Sequence, residues 1–474
     1  MTLAAFKQTI RQAALDGSLG QSVIGDGVMI PGLDGEVPLV YADYVASGRG
    51  LSQVEDFVAR QVLPFYANSH TEASYCGTQM TRLRREARSE IARMTGATGD
   101  DAVIFTGSGA TAGLNRLVSL FGVNEADRPV VFIGPYEHHS NILPWRESKA
   151  EVVEIPETPG GGVDLAALER ALQDHADSDL KIGSFSAASN VTGIITGPDP
   201  ISRLLHAHGA LAVWDYAGGG PYLPVDMGGK GAARKDAVVV SPHKFPGGPG
   251  ASGVLVVNTR AVRRRCPSWP GGGTVSFVSP WQHEYSGDLA TREEAGTPNV
   301  IGDIRAALAF LVKEAVGQEE IEAREAQFAQ MAWEGWSANP RLRILGQRDA
   351  HRLPIFSFLV SDGAGNPVHQ QLFTRMLSDV YGIQARGGCA CAGPYAHRLL
   401  DISQPESETL FAELQAGEEM KKPGWVRLNF SYLMEPQTAQ YIIDSVNDLT
   451  RRTAELAPRY NVDPETARFK ALVA

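Results

Sequence analysis

The chain has 474 residues, 43% of them hydrophobic, with 54 acidic against 43 basic side chains and a net charge of −11. That length supports a large core, expected as two domains within one unit, and the acidic balance argues against nucleic acid as a partner. No apolar run approaches the ~18 residues of a membrane span, and four cysteines, Cys76, Cys266, Cys389 and Cys391, are too few for a disulfide framework, which points to a reducing cytoplasm.

The opening "MTLAAFKQTIRQAALDG" reads as a short amphipathic helix and not as a secretory leader. "RLRREAR", at 82–88, lies in a helical stretch and is expected to form a solvated face, with an acidic partner or a phosphate as the alternative. Between about residues 100 and 260, short apolar runs alternate with helical ones. "DAVIFTG" precedes "ATAGLNRLVSLFG"; then come "PVVFIGP", "KIGSFSAAS", the helix through "DPISRLLHAHG", "ALAVWDY", "AVVVSP" and "SGVLVV". This pattern predicts an α/β domain whose mostly parallel sheet is covered on both faces, with ligands at the carboxyl ends of the strands. The glycine-rich "WPGGGTVSF", 269–277, predicts a loop. From "IGDIRAALAFLVKEAVG" onward, a long helical region and two strand candidates, "RLPIFSFLV" and "GWVRLNFSYL", predict a smaller α+β domain. The expected division is an N-terminal segment 1–45 packing with the small domain, a large domain 46–300, and the small domain 301–474.

Lys244 follows the apolar run "AVVVSP" in a turn. A lysine there is costly if merely structural. Burial near a strand end is also how a lysine is tuned to form a Schiff base. A pyridoxal phosphate ring would need a carboxylate at its nitrogen, and Asp215 ends the run "ALAVWDY" 29 residues earlier. Read one at a time, a capping aspartate and a snorkelling lysine explain both residues equally well. A phosphate needs backbone N–H groups at a helix start, which "FTGSGATAGLN" supplies, with Ala110 in the first turn and Thr111 adding a hydroxyl. His138, in "YEHHSNILPW", can stack on a ring, and Asn190, after "FSAAS", can bond a phenolic oxygen.

In order along the chain, "YADYVASG", "EHHSNILPW", "SNVTG", "WDYAGG", "SPHK" and "EAGTPN" resemble the class V aminotransferase-like enzymes, which are fold-type-I pyridoxal phosphate proteins. The likeness spans about residues 40–435 and is greatest to the cysteine desulfurase and selenocysteine lyase branch. The resemblance implies that Lys244 binds pyridoxal 5′-phosphate covalently, that Asp215 pairs with its ring nitrogen, and that His138 stacks on the ring. It implies phosphate contacts from Ala110, Thr111, Ser241 and His243, and from Thr297 of a second subunit, hence a homodimer. Arg427 then clamps the substrate carboxylate, as an arginine fork suits, with Asn190 and Arg386 also on the substrate; a salt-bridged strand arginine is the alternative for Arg427. No metal site is expected.

Two departures stand out. Gly218 occupies the place of a glutamine three residues after the aspartate, and in "NSHTEASYCG" Ser74 stands where the desulfurase pattern has a second histidine. "ARGGCACAGP" places Cys391 where the second desulfurase group has its catalytic cysteine and Cys389 where that group has histidine. An Arg-x-Gly-Cys-x-Cys pattern is also similar to molybdenum cofactor sulfurases. In an extended loop, residues two apart point the same way, so Cys389 is expected to reach a persulfide on Cys391. The reading is an enzyme converting cysteine to alanine with a persulfide on Cys391, passed to a sulfur-acceptor protein. Another class V activity (aminotransferase, epimerase, C–S lyase or selenocysteine lyase) and a non-catalytic sulfur-relay subunit remain alternatives.

Overall fold

Seven runs between Asp101 and Asn258 pair into one sheet in the computed structural model, which describes residues 2–68, 72–229 and 231–472. In chain order they are β1 (Asp101–Gly107), β2 (Pro129–Ile133), β3 (Glu151–Glu154), β4 (Leu180–Ser186), β5 (Leu211–Asp215), β6 (Ala237–Val240) and β7 (Gly253–Asn258). Across the sheet they lie in the order β1-β7-β6-β5-β4-β2-β3. β2 to β6 run parallel to one another, and β7 is antiparallel to both of its neighbours, β1 and β6. Every residue of β2, β6 and β7 is buried, which is why these runs are continuously apolar and do not alternate. β3 was missed in the sequence because this edge strand, "EVVE", begins and ends with an acid and has no fully buried residue.

The chain forms two compact units. The first comprises residues up to 22, 47–188 and 195–318; the second comprises 23–46, 189–194 and 319–474. The expected segment 1–45 therefore divides, residues up to 22 joining the first unit and 23–46 the second, and the later boundary falls after 318 and not after 300. The N-terminal helix α1 (Leu3–Leu15) belongs to the first unit because its apolar face, Leu3, Phe6 and Ile10, is buried there. Phe6 meets Phe57 edge-to-face at 5.3 Å, and Lys7 pairs with Glu314 at 2.9 Å. Glu314 lies on a helix, Val300–Val316, that also stays with the first unit; eleven of its 17 residues are buried, too many for a helix with a solvated side.

"RLRREAR" is a solvated face only in part: Arg82 and Arg85 are exposed, whereas Arg84 and Arg88 meet buried acids. It lies on α2 (Tyr75–Met94), where Arg84 donates to Asp303 at 2.7 Å and Arg88 makes two 2.8 Å bonds to Glu294. Glu294 also accepts the Phe105 N–H of β1 at 2.7 Å. Two acids this deeply placed need cations, and the arginines meet that need; the result ties the "EAGTPN" loop to the sheet. The stretch 269–277 is a loop only at its start, since Val275–Val278 pairs with His283–Tyr285 as a hairpin. Among the described residues no helix is long and apolar enough to cross a membrane.

In the second unit, β8 (Leu342–Ile344), β9 (Ile355–Ser361), β10 (Arg386–Gly388) and β11 (Trp425–Asn429) form an antiparallel sheet ordered β8-β9-β11-β10. Its core is aromatic: the Trp336 ring contacts Phe356, Phe358 and Phe430, and Phe356 also meets Phe430. Residues 23–46 join this unit through a parallel bridge of Val40 and Tyr41 to Ile383 and Gln384. Asn429 N–H then donates to Ala42, and Val45 N–H donates to the Asn429 side chain, so Asp43 is held against β11.

Candidate active site

β5 and β6 are adjacent and parallel, with Asp215 opposite Val239, so the turn after each strand opens at the same end of the sheet. Asp215 is the last residue of β5 and is buried. Among the described residues its carboxylate accepts one hydrogen bond, from the Ala217 N–H at 2.7 Å. Burial pushes its pKa upward; the Ala217 bond and the charge of Lys244 oppose that. Lys244 ends the short turn Pro242–Lys244 that follows β6, half-buried. The turn is wedged against Gly48 of the same unit. A side chain at Gly48 would come within 1.9 Å of the Phe245 carbonyl, and Gly48 N–H donates to the His243 carbonyl at 2.9 Å.

The helix α3 (Gly109–Leu120) starts directly after β1, and Ser108 makes no side-chain cap. Ala110 N–H donates to Ser241 Oγ at 2.9 Å. Gly109 sits at φ +62°, where a Cβ would stand 2.7 Å from Ser241 Oγ and 3.0 Å from the His243 ring. Burial, aided by the charge of Lys244, lowers the His243 pKa to about 4, so the ring is neutral near pH 7. Ala110, Ser241 and His243 are thus gathered at one helix start. Thr111 is there too, but its hydroxyl is exposed and shares a 2.7 Å bond with Ser140. His138 follows β2; its Nδ1 accepts the Ser140 N–H at 3.1 Å, which leaves Nε2 as the protonated nitrogen of a neutral ring. Thr297 is exposed in its loop and makes no hydrogen bond with these groups among the described residues.

Behind this set lies a residue that the sequence reading passed over. Glu137 is buried and accepts Ser186 N–H at 2.9 Å, Ser186 Oγ at 2.6 Å and Asn141 Nδ2 at 2.5 Å. Burial pushes its carboxyl up to about 7 against the pull of those donors, and the charge of Asp215 adds to the push. The signal was present, since an acid directly precedes the histidines of "EHHSN".

The second unit holds Asn190, Arg386, Cys389, Cys391 and Arg427. The cysteine loop is not extended. Ala390 and Cys391 lie at φ 52° and 55°, and the Ala392 N–H reaches back to the Cys389 carbonyl at 3.2 Å. The result is a tight turn with two non-glycine residues in the left-handed region, a costly conformation that must be held from outside. Asn190 is one hold: its Nδ2 donates to the Ala390 carbonyl at 2.8 Å. The expectation that Cys389 and Cys391 point the same way because the loop is extended therefore fails. Both thiols are free, and Cys391 is exposed.

Arg427 lies on β11, buried, with Nη1 on the Asn190 carbonyl at 3.0 Å and Nη2 on Asp43 at 2.8 Å. Burial lowers its pKa and Asp43 raises it; the Cys391 sulfur lies near enough to raise it further. Asp43 was quoted in "YADYVASG" but given no role. Ser74, the other departure noted, caps α2 through the Gly77 N–H at 3.2 Å; residues 69–71 of the same stretch lie outside the described residues.

The donor set of the first unit fits pyridoxal 5′-phosphate. Gly109 leaves open a place at the helix start that a Cβ would fill. A buried carboxylate with acceptor capacity to spare faces the same sheet end as a lysine.

Comparison with known proteins gives the family. The family model described as Aminotransferase class-V matches residues 40–409. A probable cysteine desulfurase of Vibrio cholerae is 33% identical over 75% of this chain and 85% of that protein. One from Halalkalibacterium halodurans is 29% identical over 79% and 90%. Among solved structures, a cysteine desulfurase from Thermococcus onnurineus superposes with a TM-score of 0.71 at 21% identity, covering 87% of this chain and 94% of that one. The Escherichia coli cysteine desulfurase CsdA gives 0.68 at 23%, covering 88% and 94%.

Proposed function

Because the chain belongs to the class V aminotransferase family, we propose that it is a pyridoxal phosphate-dependent cysteine desulfurase. It takes the sulfur of cysteine onto Cys391 and releases alanine. The observation that carries this reading is the exposed Cys391, held in a strained turn within electrostatic reach of the buried Arg427.

The cofactor, when bound, supplies an aldehyde for covalent attachment and a ring that stabilises negative charge at the substrate Cα. Lys244 would hold it through Nζ, and Ser241, neutral His243 and the N–H groups at the start of α3 would hold its phosphate. Asp215, buried, would pair with the ring nitrogen and hold a proton there. Arg427 orients the substrate carboxylate. Lys244 Nζ would also serve as the base for the substrate Cα proton. Cys391 as thiolate attacks the substrate sulfur. The new S–S bond forms as the Cβ–S bond breaks, its electron pair goes to carbon, and a proton completes the methyl group of alanine. Cysteine and one enzyme thiol thus give alanine and one enzyme persulfide, with no external oxidant or reductant. Homodimerisation with Thr297 reaching the partner's phosphate site, a cytoplasmic location and onward transfer to an acceptor protein complete the proposal.

The test is incubation of the purified holoenzyme with cysteine and a reductant. Alanine and sulfide in equal amounts are expected, with Cys391→Ser abolishing both while the cofactor's absorbance stays. Pyruvate with ammonia, or a keto acid, as the product would replace this reading with a lyase or an aminotransferase.

A further inference from the structure

Arg386 and Arg427 are direct partners in the antiparallel pairing of β10 with β11. Like charges placed opposite each other across a sheet repel, and here one of them is fully buried. Asp43 resolves the conflict. Its Oδ1 accepts from Arg427 Nη2 at 2.8 Å and its Oδ2 from Arg386 Nε at 3.0 Å. Two guanidinium groups therefore share one carboxylate, and one positive charge is left unmatched. Arg427 also keeps a buried Nε with no hydrogen-bond partner, while the Arg386 side chain remains 48% exposed. No other carboxylate pairs with either arginine among the described residues.

We infer that Asp43 and Arg386 set the affinity of Arg427 for the substrate carboxylate, Asp43 as an internal competitor and Arg386 as the cation that draws it off. The inference rests on the proposed function. Asp43 is a positioning residue: it touches Arg427 and not the reacting atoms. With Arg386 in place, the carboxylate of Asp43 is divided between two forks, and Arg427 retains charge and donors for an incoming carboxylate. Without Arg386, Asp43 neutralises Arg427 alone, and the substrate must compete with a carboxylate already in position.

The experiment measures alanine formation by the holoenzyme against cysteine concentration. Arg386→Met should raise KM by ~10-fold or more, the scale of one charge-assisted hydrogen bond, with kcat changed much less. Removing the competitor as well, in Asp43→Asn/Arg386→Met, should return KM to within ~3-fold of the wild type, because one unmatched guanidinium is restored. If Arg386 instead touches the substrate itself, the double variant will be no better than the single one, and that result overturns the inference, as does an unchanged KM in Arg386→Met. Should the double variant fail to fold, Arg386→Glu serves in its place: a carboxylate there cannot draw Asp43 off Arg427 and should itself compete for Arg427, giving a KM above that of Arg386→Met. A KM at or below that of Arg386→Met would contradict the inference. A wild type that makes no alanine from cysteine overturns the functional reading and this inference with it; normal wild-type turnover with the wrong variant pattern overturns this inference alone.

Discussion

Asp215 and Glu137 are both buried carboxylates of the first unit, and their neighbours give them different tasks. Asp215 faces a lysine and has acceptor capacity left over; Glu137 accepts its hydrogen bonds from the neutral donors Ser186 and Asn141. Asp215→Asn should keep the fold and reduce kcat by ~10²-fold or more, the usual loss for a preorganised electrostatic partner; turnover near the wild-type level would assign the role elsewhere. For Glu137 the expectation concerns pH. Its folded pKa, about 7, lies above the ordinary glutamate value of 4.5, so the folded state holds this proton more tightly than the unfolded state. Stability contributed by the protonated form is therefore present below about pH 4.5 and is lost as pH rises through 7. Glu137→Gln, which cannot ionise, should gain on the wild type over that window, by at most ~3 kcal/mol. Urea unfolding at pH 5 and pH 7.5 measures the difference, and parallel curves would show that Glu137 does not titrate there. Lys244, Asp215 and His138 were legible as candidates in the sequence because each lies at the end of an apolar strand or in the turn after one. Asp43 was not, since its partners lie 343 and 384 residues away and only the fold brings them together.

At the scale of elements, the proposed phosphate cradle depends on how closely β7 approaches the start of α3. A side chain at Gly253 would meet the Gly109 backbone at 2.5 Å. Gly253→Ala should force the two apart and raise the pyridoxal phosphate concentration needed for half-reconstitution by ~10-fold or more; unchanged reconstitution would place the phosphate elsewhere. The cysteine turn makes a contrasting case. Ala390 carries a left-handed conformation that glycine adopts without strain, so Ala390→Gly should leave thermal stability equal or raise it by up to ~1 kcal/mol. A clear fall in Tm would mean that the turn is not strained. Continuous apolar runs made six of the seven strands readable, but not that β7 is antiparallel, because burial on both faces looks the same for either direction. The turn at 389–392 was unreadable for a related reason. Left-handed backbone is signalled by glycine or asparagine, and here alanine and cysteine occupy it, held by a hydrogen bond from Asn190, 200 residues away.

For the whole molecule, the family is established, and the assignment of each unit's residues to one reaction is the proposal that experiment must decide. Proposed homodimerisation gives one test. If Thr297 serves the phosphate site of the second subunit, co-expressed Lys244→Ala and Thr297→Val chains should form hybrids that turn over cysteine at low cofactor concentration, where neither variant does alone. The most direct measurement concerns sulfur. The holoenzyme is given one equivalent of cysteine without reductant, trapped by alkylation, and mapped by mass spectrometry while alanine is counted. The account predicts one alanine per extra sulfur atom, with that sulfur on the peptide carrying Cys391 and absent from Cys391→Ser. Alanine formed at the wild-type rate by Cys391→Ser would contradict it.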